Sequence, residues 1–292
     1  MIVGAVAFDT VGLVERLPEP ETTARVDRVD VRCGGTAGNV AVGLARLGER
    51  VELVSAVGPD FAGSAYEARL RSLGVDLGGL ARVAAPTSHA YVWTAADGRQ
   101  MTYFHPGASL ALGKAPVREA SLAHFSAGEI SDYPRRMRAA EQVTFDPGQE
   151  CHHRALGEIE ACLPLVDILF VNERERERLE RGIGLTAQKA WEIGLDALVV
   201  THGAKGTEVL TPKGTERVPV APARVLDPTG GGDAHRAGFL LGLARGLPLA
   251  ACARLGSVAA AATIEVVGSQ EAETDLGAIR ARHEAAYGPC PV

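Results

Sequence analysis

Residues 226–241, LDPTGGGDAHRAGFLL, bring together the groups that phosphoryl transfer requires. An apolar run precedes three successive glycines: Gly230, Gly231 and Gly232. Because glycine lacks a Cβ, several backbone N–H groups can turn toward one anion, and the helix predicted over 234–245 adds unpaired N–H groups at its start. The carboxylate of Asp233 would repel a bound phosphate, but it suits a base that takes a proton from an attacking hydroxyl. The alternative is a glycine-rich turn in which Asp233 caps the helix.

Short apolar segments alternate with helical patterns and predict the elements that hold this stretch in place. The predicted buried strands cover residues 2–8, 51–57, 122–128, 143–146, 168–171 and 197–201. This order predicts an α/β sandwich with a mainly parallel central sheet. Asp9 follows the first predicted strand, at the edge where open parallel sheets bind ligands. A turn residue that closes the strand is the alternative interpretation of Asp9.

Two segments have a different pattern, in which apolar and polar residues alternate. The first covers about 11–32, and the second covers about 81–105 with a hairpin turn at Asp97 and Gly98. Alternation favours half-buried antiparallel strands outside the central sheet. We therefore expect the two segments to pair into one small sheet that forms a lid over the site.

Two further glycine-rich segments are candidates for ligand binding. Residues 33–41, CGGTAGNVA, open a predicted helix, and the amide of Asn39 can offer both a donor and an acceptor to a hydroxyl. An ordinary turn is the alternative there. Residues 201–206, THGAKG, follow a predicted strand. The sequence has no Walker A motif and no G-x-G-x-x-G before a helix, which disfavours a P-loop protein and a nicotinamide dehydrogenase.

Composition excludes several classes of protein. The 292-residue chain is 46% apolar, enough for a sizeable core, and its net charge of −6 argues against nucleic acid or an anionic membrane as partner. The start, MIVGAVAFD, lacks the basic region of a signal peptide, and no apolar run is long enough to span a bilayer. Five scattered cysteines without a C-x-x-C pair indicate neither a zinc site nor a disulfide framework. We expect a cytoplasmic protein.

Taken together, these segments resemble the signatures of the ribokinase/PfkB family of carbohydrate and nucleoside kinases. The stretch around Asp233 is similar to D-T-x-G-A-G-D-x-F-x-x-G-F, with departures at Pro228, Gly231 and His235. Residues 34–48 resemble GG-x-x-x-N-x-A-x-x-x-x-x-LG, residues 172–175 resemble N-x-x-E, and residues 201–206 resemble T-x-G-x-x-G. The resemblance implies a three-layer α/β/α sandwich with a β-sheet lid, a single domain over residues 1–292, and the use of ATP and Mg²⁺.

The resemblance also implies roles for individual residues. Asp9 would bind two sugar hydroxyls, and further sugar contacts would come from Gly34, Gly35 and Asn39. The ATP phosphates would lie near Asn172, Thr201, Gly203, Gly206 and Gly232. Glu175 would organise Mg²⁺ through water, although a helix capping box explains the spacing of Asn172 and Glu175 equally well. A monovalent cation such as K⁺ would lie near Asp227, Thr229 and Ser269.

Three features favour a nucleoside as the phosphate acceptor. Tyr91 and Phe104 lie on the predicted lid hairpin, where the two rings would either sandwich a base or pack the lid. Residues 104–108, FHPGA, and 146–150, DPGQE, resemble segments of bacterial adenosine-kinase-like members, in which the region of Gln149 lies near the base. Glu150 departs from that pattern.

We therefore predict an ATP-dependent kinase that phosphorylates the 5′-hydroxyl of a nucleoside, with adenosine as the first candidate. Asp233 would be the general base, and the glycines at 230–232 would form the anion hole. A sugar kinase for ribose or a ketohexose is the alternative, and a nucleotide- or sugar-binding protein without turnover is a third hypothesis. Because lids of this kind often pair between subunits and an exposed strand edge needs covering, we expect a homodimer formed through the lid.

Overall fold

The main element of the fold is a nine-stranded sheet with the order β13-β12-β11-β10-β9-β8-β1-β4-β5. The computed structural model describes residues 1–97, 99–153 and 156–292. The strands of this sheet are β1 Ile2–Val3, β4 Leu53–Val57, β5 Leu80–Arg82, β8 Ala120–Phe125, β9 Ala140–Phe145, β10 Ile168–Asn172, β11 Ala197–Thr201, β12 Thr207–Thr211 and β13 Gly214–Val218. Seven strands run parallel, namely β1, β4, β5, β8, β9, β10 and β11, and β12 and β13 are antiparallel additions at one edge.

Helices cover both faces of this sheet. Their bounds are α1 Thr36–Arg46, α2 Ala65–Ser72, α3 Tyr133–Met137, α4 Glu150–His153, α5 Leu156–Cys162, α6 Glu173–Ile183, α7 Ala187–Glu192, α8 Gly231–Ala244, α9 Leu249–Thr263 and α10 Leu276–Tyr287. In β10, Leu169 and Val171 face one core with α3, α5, α6 and α7, whereas Ile168 and Phe170 face the side of α8 and α9. A sheet buried on both faces explains the continuous apolar runs in the sequence. The predicted three-layer α/β/α sandwich is confirmed.

A second, separate sheet has four strands in the order β3-β2-β6-β7. Its strands are β2 Ala7–Val14, β3 Val26–Gly34, β6 Ser88–Ala95 and β7 Gln100–His105. This sheet contains most of the two segments that the alternating pattern singled out. Its bounds differ from the predicted 11–32 and 81–105, because Ala81 belongs to β5 and pairs with Ala56 in the main sheet. Of the turn predicted at Asp97 and Gly98, Gly98 lies outside the described residues.

The single strand predicted over residues 2–8 is wrong, because the chain changes sheets at Gly4. Gly4 has φ +147°, and a Cβ there would lie 2.3 Å from Ser126 Oγ. The carbonyl of Ala5 turns away from the sheet and accepts hydrogen bonds from the N–H groups of Ala37 and Gly38, at 3.1 and 3.4 Å. Asp9 consequently lies inside β2 of the second sheet, and not at the end of a core strand.

The register of the second sheet divides its side chains between two faces. One cross-strand row is Arg32, Asp9, Ala90 and Phe104, and the next row, on the opposite face, is Val31, Thr10, Tyr91 and Tyr103. Facing partners in a sheet point to the same side, and successive residues alternate. Asp9 and Phe104 therefore share one face, and Tyr91 lies on the other.

Among the described residues, none of the helices combines the length and the apolar character needed to cross a lipid bilayer.

Candidate active site

Asp233 occupies the third position of α8. The residue that caps this helix is Gly230, with φ 77° and ψ −2°, so the helix begins three residues before the predicted Ala234. The alternative in which Asp233 is the N-cap is therefore wrong. A carboxylate in the first turn still lies close to the positive end of the helix dipole.

The glycine loop before Asp233 passes very close to its surroundings. A Cβ on Gly230 would lie 2.5 Å from Ser269 Cβ, and a Cβ on Gly231 would lie 2.9 Å from Ile264 Cγ2. Within the described residues, the N–H groups of Gly232 and Asp233 have no hydrogen-bond acceptor, whereas the N–H of Gly231 donates to Pro228 O. Two adjacent unpaired donors at a helix start make a site that fits an anion.

Asp233, Asn39, Asp9 and Gly34 come together beside this loop. Asn39 Nδ2 donates to Asp233 Oδ2 at 2.7 Å. Burial raises the pKa of Asp233 to about 6, and the charge of Asp146 adds to the rise while the bond from Asn39 opposes it. Burial also raises the pKa of Asp9 to about 7, and the charge of Asp233 contributes to that rise. The charge of the Asp233 carboxylate thus acts on the carboxylate of Asp9.

The two glycines before α1 allow close approach at this point. A Cβ on Gly34 would lie 2.0 Å from Asp9 Oδ2. Gly35 has φ +81°, and a Cβ there would lie 2.6 Å from the carbonyl oxygen of Ala5. A side chain at Gly34 would occupy the space of the Asp9 carboxylate, whereas one at Gly35 would clash with the backbone of residues 5–7.

Asn172 and Glu175 form the capping box at the start of α6. The N–H of Glu175 donates to Asn172 Oδ1 at 2.9 Å, and the N–H of Asn172 donates to Glu175 Oε2 at 2.8 Å. Glu175 is 4% exposed, and burial together with the charge of Asp146 raises its pKa to about 7. The capping alternative is thus what the structure shows, and the cap occupies one carboxylate oxygen of Glu175.

The segment 201–206 forms a tight loop at the end of β11, beside Asn172. Thr201 pairs in register with Asn172, so both residues lie at the carboxyl ends of neighbouring parallel strands. Gly203 and Gly206 have φ +55° and +100°, and a Cβ on Gly206 would lie 2.2 Å from Val218 O. The loop therefore lies at the ligand-binding edge of the sheet.

The residues predicted for a monovalent cation make other contacts. Asp227 Oδ1 accepts from the N–H of Thr229 and Oδ2 accepts from the N–H of Gly268, both at 2.9 Å, so this carboxylate joins two loops. The hydroxyl of Ser269 donates to Asn39 Oδ1 at 3.1 Å. No group of three or more His, Cys, Asp or Glu side chains gathers as a metal site in the part of the chain that the structure describes.

Tyr91 and Phe104 do not sandwich a base within one chain, so that part of the prediction is wrong. Tyr91 lies opposite Tyr103, and Phe104 lies opposite Ala90 in the adjacent pair, which places the two rings on different faces of the sheet. Phe104 shares the face of Asp9 and is 49% exposed. Gln149 is exposed in the loop after β9.

Sequence reasoning missed the partnership of Arg236 with Asp146. Arg236 lies one turn after Gly232 on α8 and accompanies Asp233 on the helix, and its Nε is 2.7 Å from Asp146 Oδ2. Asp146 opens the segment 146–150 that resembles adenosine-kinase-like members, and Arg236 lies within the stretch 226–241. No local pattern links residues so far apart in the chain.

The fold and this site define a phosphotransferase of the ribokinase-like class. A sequence model of the pfkB family of carbohydrate kinases matches residues 1–275, and the chain belongs to that family. It is 34% identical to a nucleoside kinase of Methanothermobacter thermautotrophicus over 298 residues, which covers 99% of this chain and 96% of the relative.

Two solved structures are similar over nearly the whole chain. The nucleoside kinase of Methanocaldococcus jannaschii superposes with a TM-score of 0.92 at 31% identity, covering 97% of this chain and 98% of that one. The nucleoside kinase of Burkholderia thailandensis in complex with inosine also gives a TM-score of 0.92, at 28% identity and 99% coverage of both chains. The resemblance stated from the sequence is confirmed.

Proposed function

We propose that this protein transfers the γ-phosphoryl group of ATP to the 5′-hydroxyl of a nucleoside. The observation that carries the proposal is the position of Asp233. Its carboxylate lies beside two backbone N–H groups, those of Gly232 and Asp233, that have no acceptor among the described residues. The similarity to nucleoside kinases, one of them in complex with inosine, supports a nucleoside as the acceptor. Adenosine is our first candidate within that class.

In this proposal each carboxylate has its own task. Asp9 accepts hydrogen bonds from two ribose hydroxyls, because one carboxylate can accept from vicinal OH groups. Asp233 takes the proton of the 5′-hydroxyl as that oxygen attacks the γ-phosphorus. The N–H groups of Gly232 and Asp233 stabilise the charge on the transferring group, with no reorganisation needed at the moment of reaction.

On the other side of the loop, Asn172, Thr201, Gly203 and Gly206 would hold the ATP phosphates. Mg²⁺ bound to those phosphates would neutralise charge that develops during transfer. The second carboxylate oxygen of Glu175, which the cap does not use, fits a magnesium-bound water, since Mg²⁺ keeps several waters when it binds. Glu175→Gln retains an acceptor for the cap and removes the charge, so it should raise the Mg²⁺ concentration needed for half-maximal rate. An unchanged Mg²⁺ requirement would restrict Glu175 to the cap.

We further propose that the four-stranded sheet is a lid over the site and that two copies of the chain form a dimer through it. The sheet face opposite Asp9 exposes four large apolar side chains, Val29, Val31, Tyr91 and Tyr103, by 41% to 65%. Such a contiguous face fits a second copy of the chain. Sedimentation of wild type and Val31→Asp tests the dimer.

We also propose that K⁺ binds near Asp227, and a comparison of turnover in Na⁺ and in K⁺ tests this site. A cytoplasmic location is the last part of the proposal, since the five free cysteines fit a reducing compartment.

The deciding experiment is ADP release from MgATP with adenosine, guanosine, inosine, cytidine, ribose and fructose as acceptors. Turnover confined to nucleosides, with phosphate on the 5′-oxygen by NMR, is expected. Turnover only with free sugars would make this a sugar kinase. ATP binding without turnover on any acceptor would contradict catalysis by Asp233.

A further inference from the structure

Asn39 links Asp233 to Gln270 and, through Gln270, to Tyr66, two buried side chains that have no role so far. Its Nδ2 donates to Asp233 Oδ2 at 2.7 Å, and its Oδ1 accepts from Ser269 Oγ at 3.1 Å and from Gln270 Nε2 at 2.8 Å. A side-chain amide has a donor end and an acceptor end. Only the orientation with the NH₂ group toward Asp233 stabilises the carboxylate, because the opposite orientation brings two acceptors together.

The direction of this hydrogen-bond path is set by the backbone carbonyl of Gly34. A carbonyl only accepts, so the hydroxyl of Tyr66 must donate to Gly34 O, at 2.7 Å. The Tyr66 oxygen then accepts from Gln270 Nε2 at 2.7 Å. The same NH₂ group of Gln270 donates to Asn39 Oδ1. The role of each group therefore fixes the role of the next one, from Gly34 to Asp233.

Tyr66 and Gln270 are both held firmly. Their exposed fractions are 0% and 1%. The Tyr66 ring packs edge-on against Phe8 and Phe61, with centroids 5.9 and 5.8 Å away. A Cβ at position 38 would lie 1.8 Å from the Tyr66 hydroxyl, so Gly38 makes room for it. Gln270 Oε1 is buried with no hydrogen-bond partner among the described residues, so this amide forgoes one bond while both donors serve the path.

We infer that Gln270, supported by Tyr66, is a positioning residue that holds the Asn39 amide with its NH₂ group toward Asp233. The inference rests on the proposed role of Asp233 as the base. The bond from Asn39 lowers the pKa of Asp233 against the effect of burial, so it favours the ionised form of the base. Ser269 supplies a second donor to Asn39 Oδ1 and shares the task.

A double-mutant cycle of Gln270→Met and Ser269→Ala tests this inference. Either single variant leaves one donor on Asn39 Oδ1, so kcat should fall by only about 3- to 10-fold, the effect of one hydrogen bond. The double variant frees the amide to rotate, and kcat should fall by more than the product of the two single effects, which means by more than about 100-fold. The KM for ATP should change by less than about twofold, because neither substitution touches the loop at 201–206 that is proposed to hold the ATP phosphates.

The second readout is the pKa of Asp233, followed by ¹³C NMR of its carboxyl carbon in the nucleotide-free protein. It should rise in the double variant. Single effects that multiply, or an unchanged Asp233 pKa, would reduce Gln270 to a packing residue. Tyr66→Phe keeps the ring and removes the oxygen that orients the NH₂ group of Gln270, so it is the weaker substitute in the cycle if Gln270→Met does not fold. The NMR titration also separates the two ideas, because it reports on Gln270 even if wild type shows no turnover.

Discussion

Arg236 Nε lies 2.7 Å from Asp146 Oδ2, and both side chains are buried near the first turn of α8, which carries the proposed base. Arg236 Nη1 also donates to Gly232 O at 3.2 Å, and the guanidinium lies 5.4 Å from the centre of the Phe170 ring. Arg236 thus joins the first turn of α8 to the loop after β9. The pair holds the glycine loop on the sheet and brings a negative charge near Asp233.

Asp146→Asn should destabilise the fold strongly. It removes the carboxylate that pairs with the buried guanidinium of Arg236, and breaking a buried pair in this way costs about 3–5 kcal/mol. Urea denaturation of wild type and variant measures the difference. The matched control is Glu177→Gln, which removes the exposed partner of Arg181 and should change stability by less than about 0.5 kcal/mol. Equal stability losses in the two variants would show that the Arg236 pair contributes no more than a surface pair.

Gly230→Ala should damage both catalysis and stability. A methyl group at this position would lie 2.5 Å from Ser269 Cβ, and the backbone has φ +77°. Displacement of the loop should move the N–H of Gly232 and lower kcat by about 100-fold, as loss of an oxyanion-hole donor does.

Gly246→Ala is the control for Gly230→Ala. Gly246 has φ +68° and open space where a Cβ would lie, so it carries the same backbone penalty of about 1 kcal/mol without a clash. It should unfold more easily and keep the kcat of wild type. A Gly230→Ala enzyme with full activity would contradict the close approach of the loop to Ser269.

The sequence predicts the main sheet well, because strands buried on both faces leave continuous apolar runs. Strand β11 covers the predicted residues 197–201, and β10 ends at Asn172 where the polar sequence begins. The exchange between sheets at Gly4 was not predicted, because residues 2–8 are apolar in both sheets. Apolar character alone does not indicate which of the two sheets a residue joins.

Features that depend on pairing between distant segments also escaped prediction. Tyr91 and Phe104 are correctly placed on one hairpin, but which face each ring takes depends on the register, which a shift of one residue would reverse. The bond between Asn39 and Asp233 was missed because the two residues belong to different signatures. Each signature can be read alone, but the contact between them exists only in the fold.

Phe104→Ala and Tyr91→Ala should separate substrate binding from assembly. Phe104 lies on the face of Asp9, where loss of stacking on a base should lower kcat/KM for nucleosides by about tenfold or more. The KM for ATP should stay the same and serves as the internal reference. Tyr91→Ala should leave kcat/KM within about twofold and weaken the dimer in sedimentation. Equal loss of nucleoside turnover in both variants would mean that both rings support the structure of the sheet and that Phe104 does not contact the base.

Asp233→Asn should abolish turnover and yet stabilise the folded protein at high pH. Burial raises the pKa of Asp233 from its ordinary 3.8 to about 6. Between these values the folded state binds more protons than the unfolded state, so this residue makes stability fall as pH rises from about 4 to 6. Above pH 6 the ionised carboxylate carries its full penalty, and asparagine, of the same shape, removes it.

The expected gain for Asp233→Asn at pH 8 is about 1–3 kcal/mol, from about 1.4 kcal/mol per pKa unit less the part that solvent screens. At pH 4 the two proteins should be equally stable, and urea denaturation at both values measures this. Wild-type kcat should fall as pH drops through about 6, because the base becomes protonated. Asp9→Asn is the comparison. Because the pKa of Asp9 is also raised, to about 7, this variant should likewise be more stable than wild type at pH 8. If Asp233→Asn were less stable than wild type at pH 8, the bond from Asn39 would outweigh the burial of the charge. The ionised Asp233 would then raise the free energy of unfolding, and the site would not be one in which a reactive group lowers stability.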